Sequence, residues 1–340
     1  MSTVYDDLIS VSNLNLPWEQ LNYKNILITG ATGLIGSSLA KSFLVNHISK
    51  CNLYVSSRNI EKLHKIFNDF KYHTNLHFIE YDVLSPLKAD IKFDYIIDCA
   101  SPGSPNAFKE NPVEVILSNV LGANNLIKYG LTHKMIKMIY ISSGEIYGEG
   151  KIDKYIENYS GYVNPLNPRS CYPTSKRAAE SLCVSYAHEY KLNISICRPC
   201  HIYGPYFQDS DNRAYAQFFR NAINKNDIVL KSAANQIRSW CYVSDCVAGI
   251  LYVLFFGENG SAYNISPIKE KYSIKQFANE IAKQADINVI YQPTESYNNT
   301  IITHGVLDST SLQNLGWSPR YNLTSGIHKT LEIMKYLKNS

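Results

Sequence analysis

Tyr172 and Lys176 stand four residues apart in CYPTSKRAAE, a spacing that puts both side chains on one face of a helix. A free phenol, with a pKa near roughly 10, is a poor base at neutral pH, and a neighbouring ammonium lowers it. A hydroxyl, Ser143, lies upstream in SSGEIYG, Ser142 to Gly148, just after the apolar run Ile139, Tyr140, Ile141. If Ser143 lies opposite the pair, the three groups form a device for interconverting a hydroxyl and a carbonyl. The phenol moves the proton, the serine orients the oxygen, and the lysine lowers the phenol pKa. Y-x-x-x-K alone also describes an ordinary exposed helix pair, so its weight comes from following a strand-end serine and, further upstream, a glycine turn. Glu145, two residues after Ser143, either faces a substrate, or caps a turn or pairs with a nearby base.

Such chemistry needs a hydride carrier. TGATGLIG, Thr29 to Gly36, follows the strand-like NILIT directly and opens a helix near Leu34. Gly30, Gly33 and Gly36 permit a tight turn, close backbone approach to a pyrophosphate and close helix-sheet packing, and the helix start adds free NH groups. The expected cofactor contacts here are Gly30, Thr32, Gly33, Leu34, Ile35 and Gly36. The second strand, from Leu53, ends Ser56, Ser57, Arg58, Asn59, without the carboxylate that accepts the adenosine ribose hydroxyls. Hydroxyls beside a guanidinium suit a 2′-phosphate, so Ser57 and Arg58 point to NADP, with NAD possible and a solvated arginine at a helix start as the plain alternative. Asp82 and Val83, after the third strand, are expected to flank the adenine, and Ala100 to join the cofactor contacts.

These side chains need a scaffold, and the first half of the chain supplies one. Short β-rich runs alternate with helical periodicity: NILIT, a helix from about Leu34, LYVS, EKLHKIF, LHFIEY, YIIDC, a helix from about Asn111, and MIYIS. The alternation predicts an α/β fold, a doubly wound parallel (Rossmann) sheet with a smaller C-terminal α/β substrate domain. The dinucleotide-binding domain is expected over 24–205 and 239–258, and the substrate domain over 206–238 and 259–340. Ligands on such sheets bind outside the carboxyl ends of the strands.

Composition narrows the function. A chain of 340 residues with 45% hydrophobic residues can build a large core. The formal charge of +4, from 33 basic and 29 acidic residues, includes no basic run suited to nucleic acid or anionic membrane, so a small anionic ligand is expected. No apolar stretch reaches bilayer-spanning length and MSTVYDD lacks signal-peptide character, so a soluble cytoplasmic protein is expected. The eight cysteines read as reduced residues, several within apolar segments. Cys197 and Cys200 have redox spacing in CRPC but lack the helix start that activates a thiol, and no metal site is expected.

In this order of segments the chain resembles the extended short-chain dehydrogenase/reductases that modify nucleotide-sugars. The likeness rests on TGATGLIG, SSGEIYG, the Tyr172 and Lys176 pair, RPCHIYGP from Arg198, QIRSWCYVSD from Gln236 and LGWSP from Leu315, and it covers almost everything after about Lys24. It implies Ser143, Tyr172 and Lys176 as the catalytic triad, with Tyr172 and Lys176 also reaching the nicotinamide ribose. It further implies Ser143, His201 and Arg238 on the substrate side, Arg238 at the diphosphate, and a homodimer through the helix near Asn111 and the helix of Tyr172. Within the family, ASPGSP from Ala100, RSCY from Arg169 and the Q-x-R at Gln236 are most similar to UDP-glucuronate decarboxylases. In those enzymes, and in 4,6-dehydratases, a glutamate at the place of Glu145 sits near C5 and C6 of the sugar, which makes Glu145 a catalytic candidate.

The chain departs from the decarboxylases at Gly144, which replaces a serine, threonine or aspartate, at Pro173, Thr174 and Ser175, which replace D-E-G, and at Cys200 and His201, which often read F-N. With NADP expected, these departures favour net reduction of a 4-keto(-6-deoxy) sugar nucleotide for surface polysaccharide precursors. UDP-glucuronate decarboxylation, 4,6-dehydration or 4-epimerisation with recycled NAD is the alternative.

Overall fold

A computed structural model describes residues 2–45, 50–150, 152–292 and 304–339. The strands β1 (Asn25–Thr29), β2 (Asn52–Ser57), β3 (Leu76–Glu80), β4 (Tyr95–Asp98), β5 (Lys137–Ile141), β6 (Ile194–Pro199) and a later strand at Ala262–Ile265 form one parallel sheet. Its order is Ala262–Ile265, β6, β5, β4, β1, β2, β3, so the winding reverses between β1 and β4. The apolar runs that suggested these strands are buried on both faces: Ile26 and Ile28 enter one core cluster and Leu27 the other.

The helices between the strands are α1 (Ser2–Ser12), preceding β1, then α2 (Leu34–Leu44), α3 (Ile60–Ile66), α4 (Pro105–Glu110), α5 (Pro112–Thr132) and α6 (Cys171–Tyr190). α5 begins at a proline, which needs no NH donor there and has its φ already set for helix.

Beyond β6 the chain builds β7 (His201–Tyr203), α7 (Ala214–Ile223), β8 (Ile228–Leu230), β9 (Ile237–Tyr242) and α8 (Val243–Phe256). The strand at Ala262–Ile265 is β10, followed by β11 (Lys271–Ser273), α9 (Ile274–Ala285), β12 (Val289–Tyr291), β13 (His304–Gly305), α10 (Thr310–Asn314) and α11 (Leu323–Asn339). β9 pairs with β7, β11 and β13 in a small mixed sheet. α8 is apolar almost all round, because it packs within the core rather than at the surface.

β10 falls in the range expected for the substrate domain, yet it pairs in register with β6 at the edge of the large sheet. β9, from Ser239 on, falls in the range expected for the dinucleotide domain but belongs to the small sheet. The chain crosses between the two sheets at Cys200, where β6 ends and β7 begins, and loop composition alone does not reveal that crossing.

Candidate active site

A cleft of about 690 Å³ opens between the carboxyl ends of β1, β4, β5 and β6 and the small sheet. Gly30, Gly33, Leu34, Ile35, Gly36, Ser143, Glu145, Tyr172, Lys176, His201 and Arg238 all line it. Gly30 adopts φ +60°, and a Cβ there would come within 2.6 Å of the Cys99 carbonyl oxygen. A Cβ on Gly36 would meet the Gly30 carbonyl at 2.5 Å. Both glycines are thus required by the turn that brings the start of α2 to the strand ends. Gly33 caps that helix without a side chain, leaving its first NH groups open to an anion. Ser101 and Ser142 also line the cleft, and their hydroxyls have no partner among the described residues. The cradle and these free hydroxyls fit a dinucleotide.

β5 delivers Ser143 to the cleft, where it caps the short 3-10 turn Gly144–Tyr147 by accepting a hydrogen bond from the Glu145 NH at 3.1 Å. Opposite, Tyr172 and Lys176 lie in the first turns of α6, which packs along α5 and is pinned there by Asn119 Nδ2 donating to Ser175 Oγ at 2.9 Å. The Arg177 guanidinium donates to the carbonyls of Ile146 (2.5 Å) and Gly161 (2.9 Å), tying α6 to the serine turn. Arg198 adds a buried tie: it pairs with both oxygens of Glu180 on α6 (2.9 and 2.6 Å) and donates to Tyr147 Oη at 2.9 Å. RPCHIYGP therefore contributes rigidity at Arg198 and a cleft residue at His201.

Burial, then the Glu145 carboxylate, pushes the Tyr172 phenol up to about 12, against a hydrogen bond with Ser143 and the charges of Arg213 and Arg169, which pull it down. Lys176 differs from the sequence reading in its partner. Its Nζ donates to the Ile141 carbonyl at 2.7 Å and lies 4.7 Å from the Tyr140 ring centroid, against 5.9 Å for that of Tyr172. Burial lowers its amine to about 8.

Glu145 is not a free turn carboxylate: Arg169 Nη2 reaches its two oxygens at 3.0 and 3.3 Å. The Arg169 guanidinium also covers the Phe108 ring at 4.4 Å, and Phe108 stacks on Tyr172 with centroids 4.6 Å apart. Arg238 is buried in the cleft wall rather than solvated, its methylenes packed against Gly305. His201 sits beside Trp240 at the head of β7, its ring open to the cleft rather than sealed in the core; enclosure by the cleft walls, then the Arg238 and Arg213 charges, push its imidazole down, so it is neutral at pH 7.

Arg213 was not legible in the sequence, where FQDSDNR looks like a polar loop. It lines the cleft, oriented by Asp211 (2.6 Å) and Tyr215 Oη (2.7 Å). A Cβ on Gly144 would lie 2.9 Å from Leu307 Cδ1, so any side chain there needs Leu307 to shift.

Other expected cofactor residues lie outside the cleft lining. Arg58 is paired with Glu114 of α5 at 2.6 Å. The Ser57 hydroxyl accepts from the Asn59 NH at 3.2 Å, and Asp82 caps its own turn through the Leu84 NH at 3.0 Å. Val83 packs against Gly122 of α5. The Thr32 carbonyl accepts a bond from Gln208, and Ala100 donates its NH to Asp98 at 3.1 Å. No disulfide joins the described cysteines, and among the described residues no group of three or more His, Cys, Asp or Glu could hold a metal ion. Nor is any described helix long and apolar enough to cross a membrane.

Residues 26–266 match the family model described as the NAD dependent epimerase/dehydratase family. UDP-glucuronic acid decarboxylase 6 of Arabidopsis thaliana is 30% identical over 308 residues, 89% of this chain and 86% of the relative. Among solved structures, a Bacillus cereus UDP-glucuronic acid 4-epimerase in complex with UDP-glucuronic acid and NAD superposes with a TM-score of 0.79 at 23% identity, covering 92% of this chain and 99% of that one. A Bacillus anthracis dTDP-glucose 4,6-dehydratase in complex with NAD gives 0.79 at 20% identity, covering 93% and 97%.

Proposed function

The chain belongs to the NAD dependent epimerase/dehydratase family, of extended short-chain dehydrogenase/reductase type, and from that premise we propose that it decarboxylates a UDP-hexuronic acid, UDP-glucuronate being the best candidate, with NAD recycled within each turnover. The observation that carries this reading is the cleft itself: Ser143, Tyr172 and Lys176 face Glu145, while Arg169, Arg213 and Arg238 line the same space. A diphosphate and a sugar carboxylate both need cations, and paired NH donors hold such anions well. The relatives named UDP-glucuronic acid decarboxylase support the same substrate class.

NAD, held by the glycine turn, would supply a hydride acceptor and donor at the sugar C4. Tyr172 takes the proton of the C4 hydroxyl and later returns it, Ser143 holds that oxygen, and Lys176 binds the nicotinamide ribose. A carboxylate β to a C4 ketone leaves as carbon dioxide without an acid catalyst at the leaving group: the C5–C6 bonding electrons pass into a C4 enolate, which takes a proton at C5 before C4 is reduced. Expelling a C6 hydroxide does need one, and Gly144, hemmed in by Leu307, offers none. That disfavours 4,6-dehydration. Net 4-keto reduction, which the departures at Gly144, Pro173 to Ser175, Cys200 and His201 and the Arg58 hint of NADP favour, is outweighed by the relatives named decarboxylases, and Glu114 pairs with the guanidinium on which the NADP hint rests. NAD is therefore the proposed cofactor. We assign the large sheet with its helices to the cofactor and the small sheet with α7, α9 and α11 to the nucleotide.

Val113, Ile116, Leu117 and Leu121 on α5 and Val184 on α6 are exposed apolar residues on adjacent helices, which supports a homodimer through that face. The test of function is incubation of the purified protein with UDP-glucuronate and no added cofactor, followed by mass spectrometry. A UDP-pentose, lighter by carbon dioxide, is expected. A UDP-hexuronate of unchanged mass but inverted C4 would replace decarboxylation with epimerisation, and turnover only with NADPH and a 4-keto sugar nucleotide would restore the reductase.

A further inference from the structure

Lys176 carries its amine into the protein interior, where an ammonium persists only beside a counter-charge. Four acidic or thiol groups face it. Glu180 is engaged by two bonds from Arg198, and burial pushes the Cys99 and Cys183 thiols up, so both are uncharged at neutral pH. The fourth is Asp98, at the carboxyl end of β4. Thr29, Asp98 and Tyr140 occupy one register row across β1, β4 and β5, so their side chains project to the same face, and the Lys176 amine lies over the Tyr140 ring of that row. Burial pushes the Asp98 carboxyl up; against it work Thr29 Oγ1, which donates to Oδ1 at 2.6 Å, the Lys176 charge and the Ala100 NH, which donates at 3.1 Å, all three favouring the charged carboxylate. Tyr140 has no partner for its hydroxyl, and Tyr172 presents only its ring.

We propose that Asp98 is the positioning residue for Lys176: its buried carboxylate is the counter-charge that keeps the amine protonated, and Thr29 in turn keeps Asp98 ionised. The proposal rests on reading Tyr172 and Lys176 as the proton-handling pair, not on which sugar nucleotide is turned over. Burial opposes the charge on Lys176, and Asp98 opposes burial from across the Tyr140 row rather than through a direct ion pair.

Asp98→Asn keeps the shape and removes the charge. With UDP-glucuronate, the pH profile of kcat is expected to narrow. The alkaline limb falls by about one unit or more as Lys176 loses its proton earlier, while the acid limb does not rise. Thr29→Val is expected to move the alkaline limb the same way by less, and carries the test if Asp98→Asn does not fold. A stability cycle of Asp98→Asn, Lys176→Met and the double variant, read by urea midpoints at pH 7, needs no turnover. The double variant is expected to have a higher midpoint than Asp98→Asn alone, because it leaves no unpaired buried charge. An unmoved alkaline limb, or strictly additive midpoint losses, overturn the proposal. If no sugar nucleotide is turned over, the function proposed above fails, while the cycle still decides Asp98.

Discussion

Replacing Glu114 with alanine is expected to move the cofactor preference toward NADPH. In the wild type a 2′-phosphate at the end of β2 must first draw Arg58 away from Glu114, to which it is bonded at 2.6 Å. The pair is solvent-exposed, with 60% of the arginine and 39% of the glutamate side chain open, so separating it costs no more than about 1 kcal/mol. Removing the carboxylate also removes its repulsion of the phosphate, roughly 1 kcal/mol for charges about 4 Å apart in water. The two effects sum to about 1 to 2 kcal/mol, and 1.4 kcal/mol is a factor of about 10. NADH carries no phosphate there and is unaffected. The assay is a fluorescence titration of dinucleotide-free protein with NADH and NADPH. The wild type should bind NADH more tightly, the ratio of the two Kd values should shift about tenfold toward NADPH in Glu114→Ala, and Arg58→Ala should cancel that gain. A wild type that prefers NADPH, or a Glu114→Ala variant with an unchanged ratio, refutes the reasoning.

Tyr172→Phe should abolish conversion of UDP-glucuronate while leaving bound NAD in place, because it removes the proton carrier and not the glycine cradle; product mass and released dinucleotide measure the two. Gly30→Ala should lower stability by at least about 1 to 2 kcal/mol, from the left-handed φ and the Cβ against Cys99, and should abolish NAD retention, read by urea melts and by absorbance of the denatured supernatant. Lys137 is buried and its amine is lowered to about 8, so between about pH 8 and 10.5 the unfolded chain binds the extra proton. Over that window wild-type stability should rise relative to Lys137→Met by up to about 3 kcal/mol, and paired urea melts at pH 7 and 10 check the sign. Leu117→Asp, on the exposed face of α5, should halve the apparent mass in size-exclusion chromatography if the dimer uses that face.

Local signals in the sequence determined the parallel sheet, the glycine turn and the spacing of Tyr172 and Lys176, because strand burial, a left-handed turn and helical period each leave a pattern within a few residues. They could not determine which charges are already spoken for. Arg58 stands free for a phosphate in the sequence, and only α5 brings Glu114 to it across 56 positions; that Glu145 could pair with a base is legible, but which base is decided by the turn before α6, which delivers Arg169. Arg213 gave no signal in its polar loop, and β10 carried no mark assigning it to the large sheet. The sequence places Lys176 beside Tyr172 and the nicotinamide ribose, and only the packing of α6 against β6 and α5 aims its amine at the Ile141 carbonyl and the row of Asp98. Ion pairing and sheet membership depend on distances between segments far apart in the chain, and those distances exist only once the layers have packed.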